Sequence, residues 1–444
     1  MFYVYMIAEN SNHSFTIPRE DWDSEGQMMA DYYANAYLTI AASRASNSSA
    51  GFLHLTDRRR LSTIHGESDG IKFDCIVLEP GSRRLETRGP NFEAGNPLYT
   101  RAWVFQEMVL SPRVISFGAK ELEWYCRQRN WCECSYLMPR DLRVMHSPHW
   151  QDSREGLFRS NYQEWMKIVR EFTRRRLTFT SDKLPALSGL AARFKQTINA
   201  PYLAGIWKTD PFEWEALKWT TSGGFPGDLL PKPGPPSWSW ASINCRISYD
   251  DMISGVDGVT LLAAETQLRG LNPYGEVTGG FLRVRGALLK VQLDIMPAAQ
   301  ASTWRKEPSY NWMVLSTGGG VMKELEDIIE ENSNMKKIRF YPDTPLELAP
   351  SSELSCVPTE KNYQRSLRSK ESAVEPMNGV VYCLRFLRRP VVGILETTSV
   401  WLLVLGCTDK RTQSYERIGL AYLEMVKGNR QFFLEMESQE LILV

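Results

Sequence analysis

The stretch from Leu98 to Ser135 constrains the fold most, because it carries its own start, stop and turn signals. Asn96-Pro97 breaks the chain ahead of it. Thr100 stands where an N-cap is expected, and Ser111-Pro112 ends whatever helix lies between. The spacing predicts a short helix through Arg101-Ala102-Trp103-Val104-Phe105-Gln106-Glu107. Val114 to Phe117, Gly118-Ala119-Lys120 and Leu122 to Cys126 then read as strand, turn and strand. Trp103, Gln106 and Leu110 share a helical face, with Arg101 and Glu107 flanking it. An arginine, an amide and a carboxylate beside a tryptophan are costly to bury, so they must be paired or used.

Around this block the chain reads in order. Met1 to Ile7 is apolar and strand-like. Ser24 and Gln27 have capping-box spacing ahead of a helix bearing Met28, Met29, Tyr32, Tyr33 and Ala36. Tyr37 to Ala42 follows as a strand. Residues 54–96 are polar with one predicted strand, Ile71 to Leu78, and Met138 to Gln151 is a second polar stretch whose His146 and His149 read as surface residues. Phe158 to Phe172 carries an apolar stripe of Tyr162, Trp165, Ile168, Val169 and Phe172, read as a packing face. Ser181 or Asp182 is the expected cap of the next helix. Pro236-Ser237-Trp238-Ser239-Trp240 alternates like a strand with both rings on one face, read as core. Strand-like runs recur at Phe281 to Leu289, Gly379 to Leu387, Gly393 to Leu395, Ser399 to Leu405, Arg417 to Met425 and Gln431 to Met436, with a short acidic helix expected at Val321 to Glu331. An antiparallel module sharing a sheet with residues 236–250 is the expectation. Residues 342–376 are rich in Ser, Pro and charge and are predicted to be a poorly ordered loop.

Lys and Arg together number 52, as do Asp and Glu, so no net charge points to nucleic acid or to an anionic membrane. Eight Cys in 444 residues are too few for a disulfide scaffold. Cys132-x-Cys134 lacks both the usual zinc spacing and a second pair, so no metal is expected. The apolar run Val400 to Leu405 is too short to span a bilayer, and no signal peptide is visible. A soluble, cytoplasmic protein is expected. No Gly-x-Ser-x-Gly elbow, phosphate-binding Gly-Lys loop or His-Glu-x-x-His motif occurs.

Several separated blocks point one way. Asp21-Trp22, the Met/Tyr helix, Asn35 to Ala42, Gly51-Phe52-Leu53, then Arg-x-Trp-x-x-Gln-Glu at 101–107, Leu110-Ser111-x-Arg113 and Glu123-Trp124-x-Cys126 stand in the order of the fungal heterokaryon-incompatibility (HET) domain, which this chain resembles. Ser181 to Ala191, Pro236 to Ser242 and Tyr415 to Ala421 resemble segments that follow such domains. HET domains usually begin with a Ser-Tyr-x-Trp-Gly-like strand end and a Trp-x-Asp-x-x-Cys-Ile-like element. Neither is present, so the domain is expected to be N-terminally truncated.

The resemblance implies a fold similar to Toll/interleukin-receptor (TIR) domains. The expected class is α/β, with an incomplete TIR-like parallel sheet and flanking helices at residues 1–136. A helical linker at 137–235 and a mainly antiparallel β module at 236–444 would follow. The resemblance also implies non-self recognition that triggers programmed cell death, by self-association or with another incompatibility protein. Some TIR domains cleave NAD at the nicotinamide–ribose bond, so NAD enters as substrate and not as a resident cofactor. Glu107 is then the candidate catalytic carboxylate, with Arg101, Gln106 and Trp103 as candidate ligand-binding residues. Two other readings stay open. Glu107 is an exposed or ion-paired helix carboxylate, matched by Arg101 or Arg113, or the chain is a non-catalytic interaction protein on a degenerate HET scaffold.

Overall fold

The computed structural model describes residues 4–7, 28–47, 49–53, 60–68, 70–78, 96–119, 122–126, 130–132, 161–209, 212, 214–221, 227–249, 256–295, 310–313, 339–343, 347–348, 354–355, 377–388, 398–425 and 437–444. The capping box at 24–27, the His146/His149 pair, Cys134, the acidic helix at 321–331, the runs at 393–395 and 431–436 and most of 342–376 lie outside them. The described chain is mixed α/β, with few helices and many strands. It divides into two compact units, residues 1–160 with 171–193, and 161–170 with 194–444.

The first unit is built on a five-stranded sheet ordered β1-β2-β5-β6-β7. β1 (Val4–Ile7), β2 (Leu38–Ala41) and β5 (Arg113–Phe117) run parallel. β6 (Leu122–Cys126) and β7 (Asn130–Cys132) add antiparallel. α1 (residues 28–35) precedes β2, and between β2 and β5 the chain forms the hairpin β3 (Arg60–Ser68) with β4 (Ile71–Leu78), a 3-10 turn at Pro97–Thr100, and α2 (Ala102–Leu110). Pairing of β2 with β5 sets Thr39 against Val114 and Ala41 against Ser116. Alternate residues Thr39 and Ala41 are therefore buried together. Ala41, Leu98, Tyr99, Val104, Met108, Val114 and Tyr125 close the core, with Tyr33 of α1 packed against it.

α3 (Asn161–Phe172) realises the predicted stripe: Tyr162, Trp165, Ile168, Val169 and Phe172 are all buried. α4 (Ser188–Ile198) begins later than the Ser181/Asp182 cap would place it, because 3-10 turns at Thr180–Lys183 and Pro185–Leu187 intervene.

The second unit carries short pairs: β8 (Tyr202–Leu203) with β9 (Ile206–Trp207), β10 (Trp219–Thr221) with β13 (Ile247–Tyr249), and β11 (Asp228–Leu229) with β12 (Ile243–Asn244). Its main sheet has nine strands: β14 (Val256–Asp257), β15 (Val259–Leu268), β16 (Val277–Ile295), β17 (Tyr310–Met313), β18 (Arg339–Pro342), β21 (Met377–Arg388), β22 (Thr398–Asp409), β23 (Ser414–Met425) and β24 (Ser438–Leu443). β19 (Glu347–Leu348) and β20 (Leu354–Ser355) form a separate hairpin. β16 pairs with β24 through its first half and with β21 through its second. The sheet thus returns on itself through β21, β22, β23 and β24. Every pairing in it is antiparallel except β23 with β24.

Two expectations are corrected here. Among the described residues, β12 and β13 pair outside the nine-stranded sheet, so residues 236–250 do not share it. Pro236 to Ser242 is a turn ending in a 3-10 segment, Trp240–Ser242, and not a strand. Ser239 causes this: its Oγ accepts the Ala241 N–H at 3.0 Å and so caps the turn. Trp238 and Trp240 are nonetheless fully buried, as a core reading requires.

Candidate active site

α2 is held at both ends by backbone and hydroxyl groups. Arg101, and not Thr100, occupies the N-cap position, in extended conformation and without a side-chain cap. Thr100 Oγ1 donates instead to Pro97 O at 2.7 Å. The free Ala102 N–H of the first turn donates to Arg176 O at 2.9 Å. At the far end Ser111 donates both its N–H (3.2 Å) and its Oγ–H (2.7 Å) to Glu107 O, with Thr39 Oγ1 2.7 Å from the same Oγ.

The four candidate residues project from this helix and its cap, and they engage different neighbours. Trp103, half-buried, donates Nε1–H to Asp182 Oδ2 at 3.0 Å. Gln106 is 1 % exposed, and its Oε1 accepts the Gly189 and Leu190 N–H groups at 2.8 and 3.3 Å. Gln106 is thus the cap of α4, supplied from another helix where a local Ser or Asp was expected. α1 crosses the same point. A Cβ on residue 189 would come within 2.2 Å of Ala30 Cβ, which is why a glycine stands there. The other amide atom of Gln106, Nε2, is buried without a hydrogen-bond partner.

Glu107 is 7 % exposed, so it is not the solvated carboxylate that a helix position suggests by default. Burial pushes its pKa up; the Arg101 charge and the Tyr33 hydroxyl hold it back, and it comes to about 7. Arg113 does not act on it. That guanidinium lies 5.0 Å over the Tyr37 ring and donates to Tyr37 O at 3.3 Å. Oε2 of Glu107 is buried and accepts no hydrogen bond. A carboxyl balanced near neutrality, with an open acceptor, can take or release a proton or receive a ligand hydroxyl. Among the described residues no group of three or more His, Cys, Asp or Glu gathers as metal ligands would.

Residues 14–107 match the family model described as Heterokaryon incompatibility protein (HET). The chain carries a HET domain. Arg101, Trp103, Gln106 and Glu107 all fall inside the matched residues of the HET domain, at their C-terminal end. No curated protein and no solved structure matches the chain.

Sequence reasoning missed two features of this region. Tyr33 read only as one residue of an apolar face, yet its hydroxyl reaches Glu107. The second feature is a buried hydroxyl network. Ser116 Oγ lies 2.8 Å from Ser43 Oγ and 2.5 Å from the Tyr99 hydroxyl. Tyr125 donates to Glu123 Oε2 at 2.6 Å. Burial holds the Tyr99 phenol well above its ordinary pKa, so it stays a neutral donor. Serines two residues past β2 and next to the end of β5 meet only because those strands are parallel, which no local pattern announces.

Proposed function

We propose that the chain acts in fungal heterokaryon incompatibility, as a cytoplasmic non-self recognition protein whose HET domain promotes programmed cell death. In this reading the HET domain is TIR-like and cleaves NAD at its nicotinamide–ribose bond. The β-rich unit meets a second copy or another incompatibility protein and restrains or releases the HET domain. The observation that carries the chemistry is the buried, unanswered Oε2 of Glu107. Ionised, that oxygen accepts a ribose hydroxyl and stabilises the positive charge that develops as the bond to nicotinamide breaks. Water then adds to the ribose carbon, giving nicotinamide, ADP-ribose and a proton. Glu107 is 7 % exposed, so this reading requires a movement that opens the carboxylate to substrate. The parallel run of β1, β2 and β5 beneath α2 supports the layered arrangement that such chemistry uses.

A second reading is a non-catalytic interaction protein. It is favoured by Gln106 Oε1 and Trp103 Nε1, which hold α4 and Asp182 and are committed to the scaffold. The two separate in one experiment. The purified chain and its Glu107→Gln variant are incubated with NAD, and free nicotinamide is followed by chromatography. Release by the wild type and at least a hundredfold less by the variant supports the first reading. Equal release removes Glu107 from its role, and no release by either supports the second.

A further inference from the structure

Among its described residues the second unit buries two arginines, and they are treated in opposite ways. Arg417 in β23 is 2 % exposed and fully matched. Nε and Nη2 donate to the Asp343 carboxylate at 2.7 and 3.0 Å, Nη1 to Leu217 O at 2.6 Å, and Nη2 also to Trp219 O at 2.5 Å. Its guanidinium lies 3.3 Å from the Trp219 ring centroid. This is what a structural buried arginine needs: every edge of the fork answered, and one negative charge for its own.

Arg385 in β21 is 4 % exposed and has neither among the described residues. Its Nε and Nη1 are buried without a hydrogen-bond partner. Across β21 and β22 it stands opposite Leu402, and Leu402 stands opposite Ala421 of β23. Cys383, two residues before it on the same sheet face, stands opposite Val404. Leu402, Val404 and Cys383 are buried, and none supplies an oxygen acceptor. The guanidinium passes against the turn that joins β14 to β15. Gly258 there has φ +89, and a Cβ would sit 3.1 Å from Arg385 Nη2. The backbone at this turn is thus shaped to give the cation room. An arginine does not shed its proton to escape burial, so an unanswered charge in apolar surroundings calls for an anion.

We propose that Arg385 is an anion-binding residue and that its ligand is a monoanionic carboxylate, as in a small aliphatic acid. One positive charge in apolar surroundings is balanced by one negative charge. A dianionic phosphate would leave a net charge buried. Nε–H and Nη1–H lie on different edges of the guanidinium, so a carboxylate oxygen answers one of them at a time, and Leu402, Val404 and Ala421 suit a short alkyl tail. This site lies wholly in the β-rich unit and does not depend on Glu107 or on NAD.

The test is the thermal unfolding midpoint of the full chain at pH 7 in formate, acetate, butyrate, phosphate or chloride, all at equal ionic strength. The wild type is expected to gain a saturable rise of a few degrees in the carboxylates over chloride, greatest in butyrate, because a ligand of the folded state alone stabilises it. Arg385→Met is expected to lose that rise while melting in chloride no lower than the wild type, since it removes an unmatched charge. A wild type that melts alike in carboxylates and chloride overturns the proposal, and that comparison needs no variant. A rise in phosphate without one in carboxylates overturns the assigned ligand. An Arg385→Met chain that melts well below the wild type in chloride also overturns it, because the guanidinium would then have a partner within the chain. Arg385→Lys, which keeps the charge and changes the donors, is expected to retain part of the response.

Discussion

Glu107→Gln should change how stability depends on pH, with a sign opposite to that of most carboxylates. In the unfolded chain the side chain titrates near its ordinary 4.5; in the folded chain burial raises it to about 7. The folded state therefore holds the proton more tightly than the unfolded state. Below 4.5 both states are protonated and the residue contributes its full stabilisation. Between 4.5 and 7 the unfolded state ionises first, and stability falls as pH rises. Above 7 both are ionised and the loss is complete. At about 1.4 kcal/mol per tenfold change in proton affinity, the loss is on the order of 3 kcal/mol. Glutamine has the shape of the protonated acid and does not titrate. The variant should thus gain on the wild type by that amount between pH 4.5 and pH 8, beyond any constant offset. Urea unfolding followed by far-UV circular dichroism at half-unit pH intervals measures it, since all other titrating groups cancel in the difference. A difference that stays flat across this window would refute the claim that burial, and not a closed ion pair with Arg101, governs the carboxyl.

Three further outcomes follow from the same contacts. Tyr33→Phe removes the hydroxyl that holds the Glu107 pKa down, so the pH range over which stability is lost should extend upward in the same titration. Gly189→Ala drives a methyl into Ala30, which is expected to cost about 1–3 kcal/mol, and Ala30→Gly in the same chain should recover most of it in urea melts. Asp343→Ala leaves the Arg417 charge buried without its carboxylate, a loss of about 3–5 kcal/mol. Adding Arg417→Met should restore a large part, read from the unfolding midpoint.

Local signals were legible where chemistry and period agreed. Ser111-Pro112 stops α2 as expected, and the stripe from Tyr162 to Phe172 became buried because its 3.6-residue period has no competing strand pattern. Trp238-Ser239-Trp240 misled for a physical reason. A period of two is the mark of a strand, but the same serine that sets the alternation also caps a turn. The start of α4 misled likewise, since a local Asp182 looked like a cap and the true acceptor, Gln106, lies 83 residues away. The hairpin partner β3 was missed because Arg60 to Ser68 carries too few apolar residues to signal a strand. At the site, the adjacency of Arg101, Gln106 and Glu107 was legible, as it is covalent. The burial of Glu107 and the reach of Tyr33 were not, because both depend on where α1 lies, 74 residues before the carboxylate.

That arrangement bears on how any loss of function in this helix is to be interpreted. Within α2 and its cap, Trp103 and Gln106 tie down Asp182 and the start of α4, Phe105 packs 6.3 Å from Phe172 beneath the Arg175 guanidinium, and Glu107 alone keeps an oxygen unanswered. Substituting Gln106 or Trp103 therefore disturbs the element that carries Glu107, and an inactive variant at either position is what both a catalytic and a scaffold role predict. Glu107→Gln differs, because it keeps the volume, removes the charge, and gains on the wild type between pH 4.5 and pH 8 apart from any constant offset. A variant that becomes more stable and loses NAD cleavage at once has lost chemistry and not structure. If instead that pH-dependent gain is absent, the carboxylate was a structural counter-ion, and the catalytic reading fails before any substrate is tried.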